Sequence, residues 1–553
     1  MNHFQSGPLN RLIRSVTKSR LIQSVPSARF MAILLALALA VSCAGCGRLS
    51  LTEAELSELY EEEQTAAQSI GQELAATYAA DQIFALNCVR SSSFNPYLTD
   101  SEWNKVVGML VYETLVTQDD TFTAVPNLVT WWETEDGRVW DFYVDTSRTF
   151  HDGGHMTAAD AAYSMQIAMN YTSPYVTRFR HVNAVYSIAE DCFRVELGET
   201  NYRFYELLNI PCVEYNTGYS DMPPGTGPYA FSASGRYLTL DRNHPLAGEL
   251  PIETIHLKEY TNGVDILQAF EDSFIDLVIN DPNGMASLGY SSTDIVKYVN
   301  TSSMHYLAYN MNSGVFSNGD LRRIMTYAID RATIVSDVME GAALAATAPI
   351  SPQSPQYPAQ FARSLEYSDS GFRAALEALG AADTDEDGVL ELNGRPLRIS
   401  FVACSDSSVK VASARSIAKK LEDYGFDVTL RELGYDDYVD ALDDGDFDVY
   451  YAEVRLCGDW DLRLLLSSSG GLNYGDVWDM QLDTLLYSAL SSDSETRDES
   501  LETLYEYLGE NAYITPICFE KSEVLYHRGV LSGLNPTQDN IFYDMQSWTV
   551  DIS

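Results

Sequence analysis

The chain has 553 residues, well beyond the roughly 250–300 at which a single hydrophobic core stops growing, so two or more lobes are expected. Hydrophobic residues make up 46% and charged residues 21%, which excludes a disordered chain, and 34 Gly with 19 Pro exclude a collagen-like or low-complexity one. Lys and Arg number 35 against 79 Asp and Glu, and the resulting −44 repels phosphate backbones and argues against nucleic acid as a partner.

Residues 1–30 carry Arg11, Arg14, Lys18, Arg20 and Arg29 and no acid, and Phe30–Val41 is continuously apolar. A bilayer span takes about 20 apolar residues, so this stretch is too short to cross. A basic stretch, a short apolar stretch and small residues together predict a secretory signal over residues 1–42. The SCAGCG that follows resembles a bacterial lipobox, in which a Cys is acylated and becomes the mature N-terminus. Cys43, behind Ala40, Val41 and Ser42, is the better match; Cys46, behind Cys43, Ala44 and Gly45, is the alternative. An ordinary cleaved signal with incidental cysteines is the plainer reading. Removing residues 1–42 takes away basic groups and no acids, so the exported part is more acidic still. Leu51–Ala75, rich in Glu and Ala, predicts a polar helical spacer within a linker over 43–77. Cys88, Cys192, Cys212, Cys404, Cys457 and Cys518 are too few for a disulfide scaffold and are expected to be free.

In the body, FNPYLTD is followed by a predicted helix, WNKVVGMLVYETL, and VWDFYVD alternates as a half-buried strand. Thr157 with Asp160 three residues later forms a capping box ahead of a helix through Met165, Ala168 and Met169. PGTGPYAF at 224–231 is a turn entering a strand. Leu321, Ile324, Met325, Ala328 and Ile329 fall on one helical face, and Gly341 closes the next helical stretch. From 397 to 454 the pattern reads strand, helix, strand, helix, strand, which is βαβ grammar and implies a largely parallel sheet with right-handed crossovers.

These segments, taken in order, resemble the bacterial extracellular solute-binding proteins of family 5, the oligopeptide- and dipeptide-binding lipoproteins of ABC importers. The similarity is carried by FNPYLTD, LVYETLVTQDDTFTAVPNL, TFHDGGHMTAADAAYSM, GTGPYAF, and LAYNMN with LRRIMTYAIDRATIVSDVMEGAALAATAPISP. Two departures stand out: AAD-AA after the capping box where a Val pair is usual, and Arg322-Arg323 where one Arg is typical. The resemblance implies an α/β, type II periplasmic-binding fold with two hinged lobes and an extra small domain. By that analogy residues 78–98, 220–305 and 525–553 form lobe I, 99–219 the extra domain inserted in it, and 306–524 lobe II. Ligand is expected between the lobes.

The loop leaving the predicted strand at 450–455 carries Arg455, Asp459, Trp460 and Asp461. Relatives place an acid in the matching loop against a peptide's α-ammonium, and a desolvated ammonium needs such a partner. Asp459 is the better positional match and Asp461 the second. Arg455 would hold the Asp in place or meet a peptide carboxylate, while the bland reading is a solvated acidic loop. Ser93–Tyr97, with Asn95 and Tyr97, is a candidate edge for backbone pairing with an extended peptide, or an entry loop with structural roles alone. DTDEDGVLE at 383–391 opens like a calcium loop, but the twelfth position is Gly394, and an acidic turn is the preferred reading. His151 and His155 flank Asp-Gly-Gly and read as a turn, and SIAK at 416–419 falls inside a helix without the companion motifs of an acyl-enzyme. No catalytic residue, metal site or cofactor is expected. The function expected is capture of peptides, oligopeptides above all, by a monomeric, extracytoplasmic, lipid-anchored protein that presents them to the transmembrane subunits of an ABC permease. The alternatives are another small solute, such as a nickel chelate or an oligosaccharide, and a peptide sensor or adaptor.

Overall fold

The structure, a computed structural model, describes residues 84–281, 288, 295–312, 314–527 and 529–551. The predicted signal, Cys43, Cys46 and the polar spacer lie outside the described residues. Among the described residues no helix is long and apolar enough to cross a membrane.

One 11-stranded sheet runs through the body. Its first part uses β1 (Phe84–Cys88). Helix α1 (Glu102–Val111) follows, and then a small antiparallel sheet of β2 (Val129–Thr134), β3 (Val139–Val144), β4 (Val182–Ser187) and β5 (Cys192–Leu197), in the order β2-β3-β5-β4. Helix α2 (Ala158–Ala168) packs on this sheet. At its start the Asp160 carboxylate accepts from Thr157 N at 2.8 Å and Thr157 Oγ1 at 2.7 Å, closing the capping pattern seen in the sequence. The chain then returns to the large sheet with β6 (Tyr229–Phe231), β7 (Tyr237–Leu240), β8 (Thr254–Glu259) and β9 (Leu277–Asn280). The Gly-Thr-Gly-Pro-Tyr turn before β6 lies against the end of α1: a Cβ on Gly225 would stand 2.0 Å from Val111 O, and one on Gly227 2.5 Å from Leu110 O. Only glycine permits that approach.

The 15-residue β10 (Ile295–Tyr309) leads into a second lobe, containing α3 (Gly319–Ala328), β11 (Arg398–Cys404), α4 (Ser408–Glu422), β12 (Asp427–Leu433), α5 (Tyr435–Asp443), β13 (Val449–Arg455), α6 (Met480–Ser491) and α7 (Arg497–Asn511). β11 pairs in parallel with both β12 and β13, as the βαβ pattern requires. Ile399, Phe401 and Ala403 bury one face of β11, and α4 covers it with Ala414, Ile417, Ala418 and Leu421 at helical spacing. The return strand is β14 (Ile514–Tyr526), and the sheet order is β12-β11-β13-β10-β14-β9-β1-β8-β7-β6, with the eleventh strand, Ala343–Ala345, pairing with β14 off this path.

β10 and β14 form the bridge between lobes. They pair through Ile295–Asn300 with Lys521–Tyr526, lose register, and pair again from Met304 with Phe519. The hydrophobic cores divide at the same place. Val299 and Val524 belong to a core shared with Phe84, Phe142, Phe193 and Trp548, whereas Met304 and Phe519 belong to a core with Val402, Tyr450 and Leu482. A third cluster, around Leu307, Tyr309, Phe401 and Cys518, covers the other face of the second lobe. The unpaired stretch holds the neighbouring loops: Ser302 N donates to Gln538 Oε1 at 2.6 Å, and Ser302 Oγ to Leu456 O at 2.7 Å. A ladder break between two separately packed cores is where a two-strand hinge bends at least cost.

Candidate functional site

A cavity of about 1470 Å³ opens beside this hinge. The first lobe and the 99–219 region line it with Trp103, Tyr175 and Arg178, and the hinge and second lobe with Thr301, Arg455 and Glu520. Gln538 and Asp539, from the C-terminal loop, complete that wall.

The loop singled out from the sequence leaves β13 at this cavity. Arg455 pairs with Ser303 of β10, and Leu456 N then donates to Ser302 O. Arg455 is exposed on the cavity wall, and no carboxylate among the described residues lies within ion-pair distance of it. Trp460 takes a left-handed conformation, φ +55°, strained for an aromatic residue. Its ring is buried edge-on against Phe122, centroids 5.3 Å apart, and against Phe519. Phe122 is itself left-handed, φ +66°, at the tip of the hairpin joining Val116–Gln118 to Ala124–Pro126. This hairpin therefore inserts one ring from the 99–219 region into the second lobe's core.

Asp459 is only 3% exposed. One oxygen accepts from Asn201 Nδ2 at 3.1 Å and the other from Asp461 N at 3.3 Å. Arg203 lies nearby, itself 2% exposed, but it is bound to Glu206 at 2.8 Å. Burial, reinforced by the like charge of Asp461, pushes the Asp459 carboxyl up to about 6, and Arg203 offsets this only in part. Asp461 is the opposite case. Arg463 and Arg180 both bind it, and they hold its carboxyl below the ordinary range although burial opposes its charge. A cavity of about 50 Å³ lies against Asp459, Asp461 and Cys457. Arg178 and Arg455 border both this cavity and the large one.

Of the residues read from the sequence, Arg455, Asp459, Trp460 and Asp461 are thus brought together in one loop, and only Arg455 faces the large cavity. Asn95 and Tyr97 stand apart. Asn95 is fully buried; its Nδ2 donates to Gly218 O at 2.9 Å and Ser220 O at 2.7 Å, and its Oδ1 accepts from Tyr97 N. The buried Tyr97 hydroxyl donates to Pro211 O. Both residues clamp the entry segment to the 211–220 loop and present no free polar group. Arg178, Asn201, Arg203 and Glu206 were not singled out in the sequence. They lie in short 3₁₀ turns and loops without periodicity, and their relevance depends on an approach across more than two hundred residues of chain.

Among the described residues two clusters gather metal-type ligand atoms within 4.8 Å. Asp383, Asp385, Asp387 and Glu391 converge at the acidic turn, where Thr384 N and Gly388 N donate to Glu391 and Asp383. His305, Glu453 and Glu520 meet on neighbouring strands at the hinge. There His305 Nε2 lies 2.5 Å from Glu520 Oε1, its Nδ1 2.8 Å from the Tyr451 hydroxyl, and Lys410 binds Glu453 at 2.8 Å. The six described cysteines are free.

Residues 123–460 match the family model described as bacterial extracellular solute-binding proteins, family 5 Middle. The oligopeptide-binding protein AppA of Bacillus subtilis (strain 168) is 24% identical over 485 residues, 82% of this chain and 88% of its own length. The structure of that species' AppA in complex with a nonapeptide superposes with a TM-score of 0.59 at 19% identity, covering 85% of this chain and 98% of the other. NikZ from Campylobacter jejuni in complex with Ni(L-His) superposes with a TM-score of 0.61 at 19% identity, covering 85% and 99%. These likenesses establish the fold: two hinged lobes of the periplasmic-binding type with a small additional domain.

Proposed function

Since the chain belongs to family 5 of the bacterial extracellular solute-binding proteins, we propose that it captures a peptide between its lobes and presents it to the transmembrane subunits of an ABC permease. The division follows the one expected from the sequence, with residues 78–98, 220–305 and 525–553 as lobe I, 99–219 as the additional domain, and 306–524 as lobe II. No covalent step is involved. Ligand shifts the population from open to closed by binding the closed arrangement more tightly, and the permease reads that arrangement.

The observation that carries this reading is the Asp459 carboxylate: buried, raised in pKa, without an ion-pair partner among the described residues, and set beside a small cavity between the additional domain and the second lobe. A peptide's α-ammonium supplies the missing charge. AppA, similar over most of the chain, is named for oligopeptide binding and has been seen with a nonapeptide. Calorimetry with one peptide in free and N-acetylated forms tests the reading. The free form should bind more tightly, and below about pH 6 its binding should release a proton as Asp459 ionises against the ammonium. Equal binding of both forms would remove the ammonium contact. A second reading, a nickel chelate, draws on the likeness to NikZ; native mass spectrometry of the protein from its host would show metal in place of peptide.

The protein is held outside the cytoplasm by a lipid on Cys43, with Cys46 as substitute. Cys43→Ala together with Cys46→Ala should move it from the membrane pellet to the supernatant, and continued sedimentation of the double variant would end the lipoprotein reading.

A further inference from the structure

In a chain this acidic, cations without an ion-pair partner among the described residues are conspicuous, and two of them border the same pair of cavities. Arg178 lies in the 3₁₀ turn Val176–Phe179 of the additional domain. Its guanidinium sits 5.0 Å from the centre of the Tyr175 ring, and Nη1 donates to Asn209 Oδ1 at 2.5 Å. Arg455 comes from the other lobe, at the end of β13. Both are close enough to Tyr175 to draw down its hydroxyl, which burial raises. Asp539, the acid of the same corner, is engaged by Asn209 Nδ2 at 2.6 Å, and among the described residues neither arginine forms an ion pair with it. Two guanidiniums, one from the additional domain and one from the second lobe, thus line the same two cavities with donors to spare. Like charges that close in on one another are stabilised by an anion between them, and a planar fork suits a carboxylate.

We propose that Arg178 and Arg455 form an anion-binding corner beside Asp459, so that the preferred ligand carries a carboxylate close to its own ammonium group. This rests on the reading that Asp459 receives a ligand ammonium between the lobes. The additional domain then contributes directly to recognition, and a bound carboxylate bridges it to the second lobe, so selecting the ligand and favouring closure are one event. The carboxylate comes from an acidic side chain at the first or second residue of a peptide, or from the C-terminus of a very short one.

The test uses the full chain stripped of carried-over ligand. Its probes are matched tripeptides and pentapeptides with Glu or Gln at residue 1 or 2, each as free acid and as C-terminal amide, read by native mass spectrometry. Wild type should hold the carboxylate-bearing forms at least tenfold more tightly than their neutral partners. A preference for Glu over Gln at both lengths identifies the side chain as the source; a preference for acid over amide confined to tripeptides identifies the C-terminus. Arg178→Gln and Arg455→Gln should each erase most of the preference, and Arg455→Lys should retain part of it. Peptide binding with no preference for the carboxylate overturns the corner and leaves peptide capture standing. If no peptide binds, peptide capture fails, and glutarate decides the corner alone. It should raise the melting temperature of wild type but not of the Arg178→Gln/Arg455→Gln double variant; equal shifts, or none, overturn the proposal.

Discussion

Two segments stand out in the sequence as ligand contacts, and the fold treats them in contrasting ways. In Ser93–Tyr97 every polar side-chain group of Asn95 and Tyr97 has a backbone partner: Asn95 Nδ2 and the Tyr97 hydroxyl in the loops at 211–220, and Asn95 Oδ1 in Tyr97 N of the segment itself. In Arg455–Asp461 the charges are unevenly matched: Asp461 has two arginines, whereas among the described residues Asp459 has amide donors but no ion-pair partner, and Arg455 has no ion-pair partner either. A fully satisfied polar residue in a buried segment builds structure, whereas a buried charge left without its counter-charge destabilises the resting protein and is available to stabilise a complex. The unmet valence, more than the motif, separates a binding loop from a structural one.

The sharpest way to break this contrast is Asp459→Ala. If Asp459 receives the ligand ammonium, removing it strands a buried cation and should weaken peptide binding by about 2–5 kcal/mol, roughly thirtyfold to several thousandfold. Calorimetry measures this, and the variant should also lose the preference for a free over an acetylated N-terminus. Asn95→Ala should act on stability instead. It leaves the buried Gly218 carbonyl and the part-buried Ser220 carbonyl without their donor, for a loss of about 1–3 kcal/mol in denaturant unfolding, with affinity unchanged at a temperature where the variant is folded. A loss of affinity in the folded variant would return this segment to the ligand site.

Asp459→Asn sharpens the comparison through pH. The folded carboxyl titrates near 6 and the unfolded one near 3.8, so the native state binds the extra proton across that window. Wild type is favoured by this group below about 3.8 and loses that advantage as pH rises to about 6. The variant should therefore match wild type near pH 4 and exceed it by up to about 3 kcal/mol above pH 6.5, measured without ligand. A constant difference across the range would mean that Asp459 has a cation partner in solution. The smallest effect belongs to Tyr97→Phe, which removes one hydroxyl bond to Pro211 O and should cost about 1 kcal/mol of stability with no change in binding.

Much of the second lobe could be read from local pattern. β11, α4, β12, α5 and β13 follow from alternation, helical spacing and Gly425, because each element's buried face is decided within its own ten or so residues. The capping box at Thr157 and the glycine-lined turn at 225–229 were legible for the same reason. The hinge was not. β10 and β14 are long strands whose mutual register, and its loss after Asn300, depends on residues some two hundred positions apart. The insertion of Phe122 beside Trp460 was equally hidden, since a left-handed aromatic at a hairpin tip has no sequence signature. At the site, the acids of the loop could be named from the chain, but Asn201 and Arg178 become meaningful only once the additional domain meets the second lobe.

The division of the cores bears on how the chain assembles as it emerges. The second lobe's two clusters, Phe122 apart, draw their members from Met304 to Phe519, so they can close as soon as that stretch is available. The first core unites Phe84 near one end of the described chain with Trp548 near the other, and it includes Val524 from the return strand. Its long loops must be closed before its contacts form, which makes it the slower of the two to complete. The portion synthesised first is therefore finished last. Until β14 and the C-terminal loop arrive, β1 lacks the environment that buries it, and a chain truncated before Trp548 should hold a folded second lobe beside an open first one.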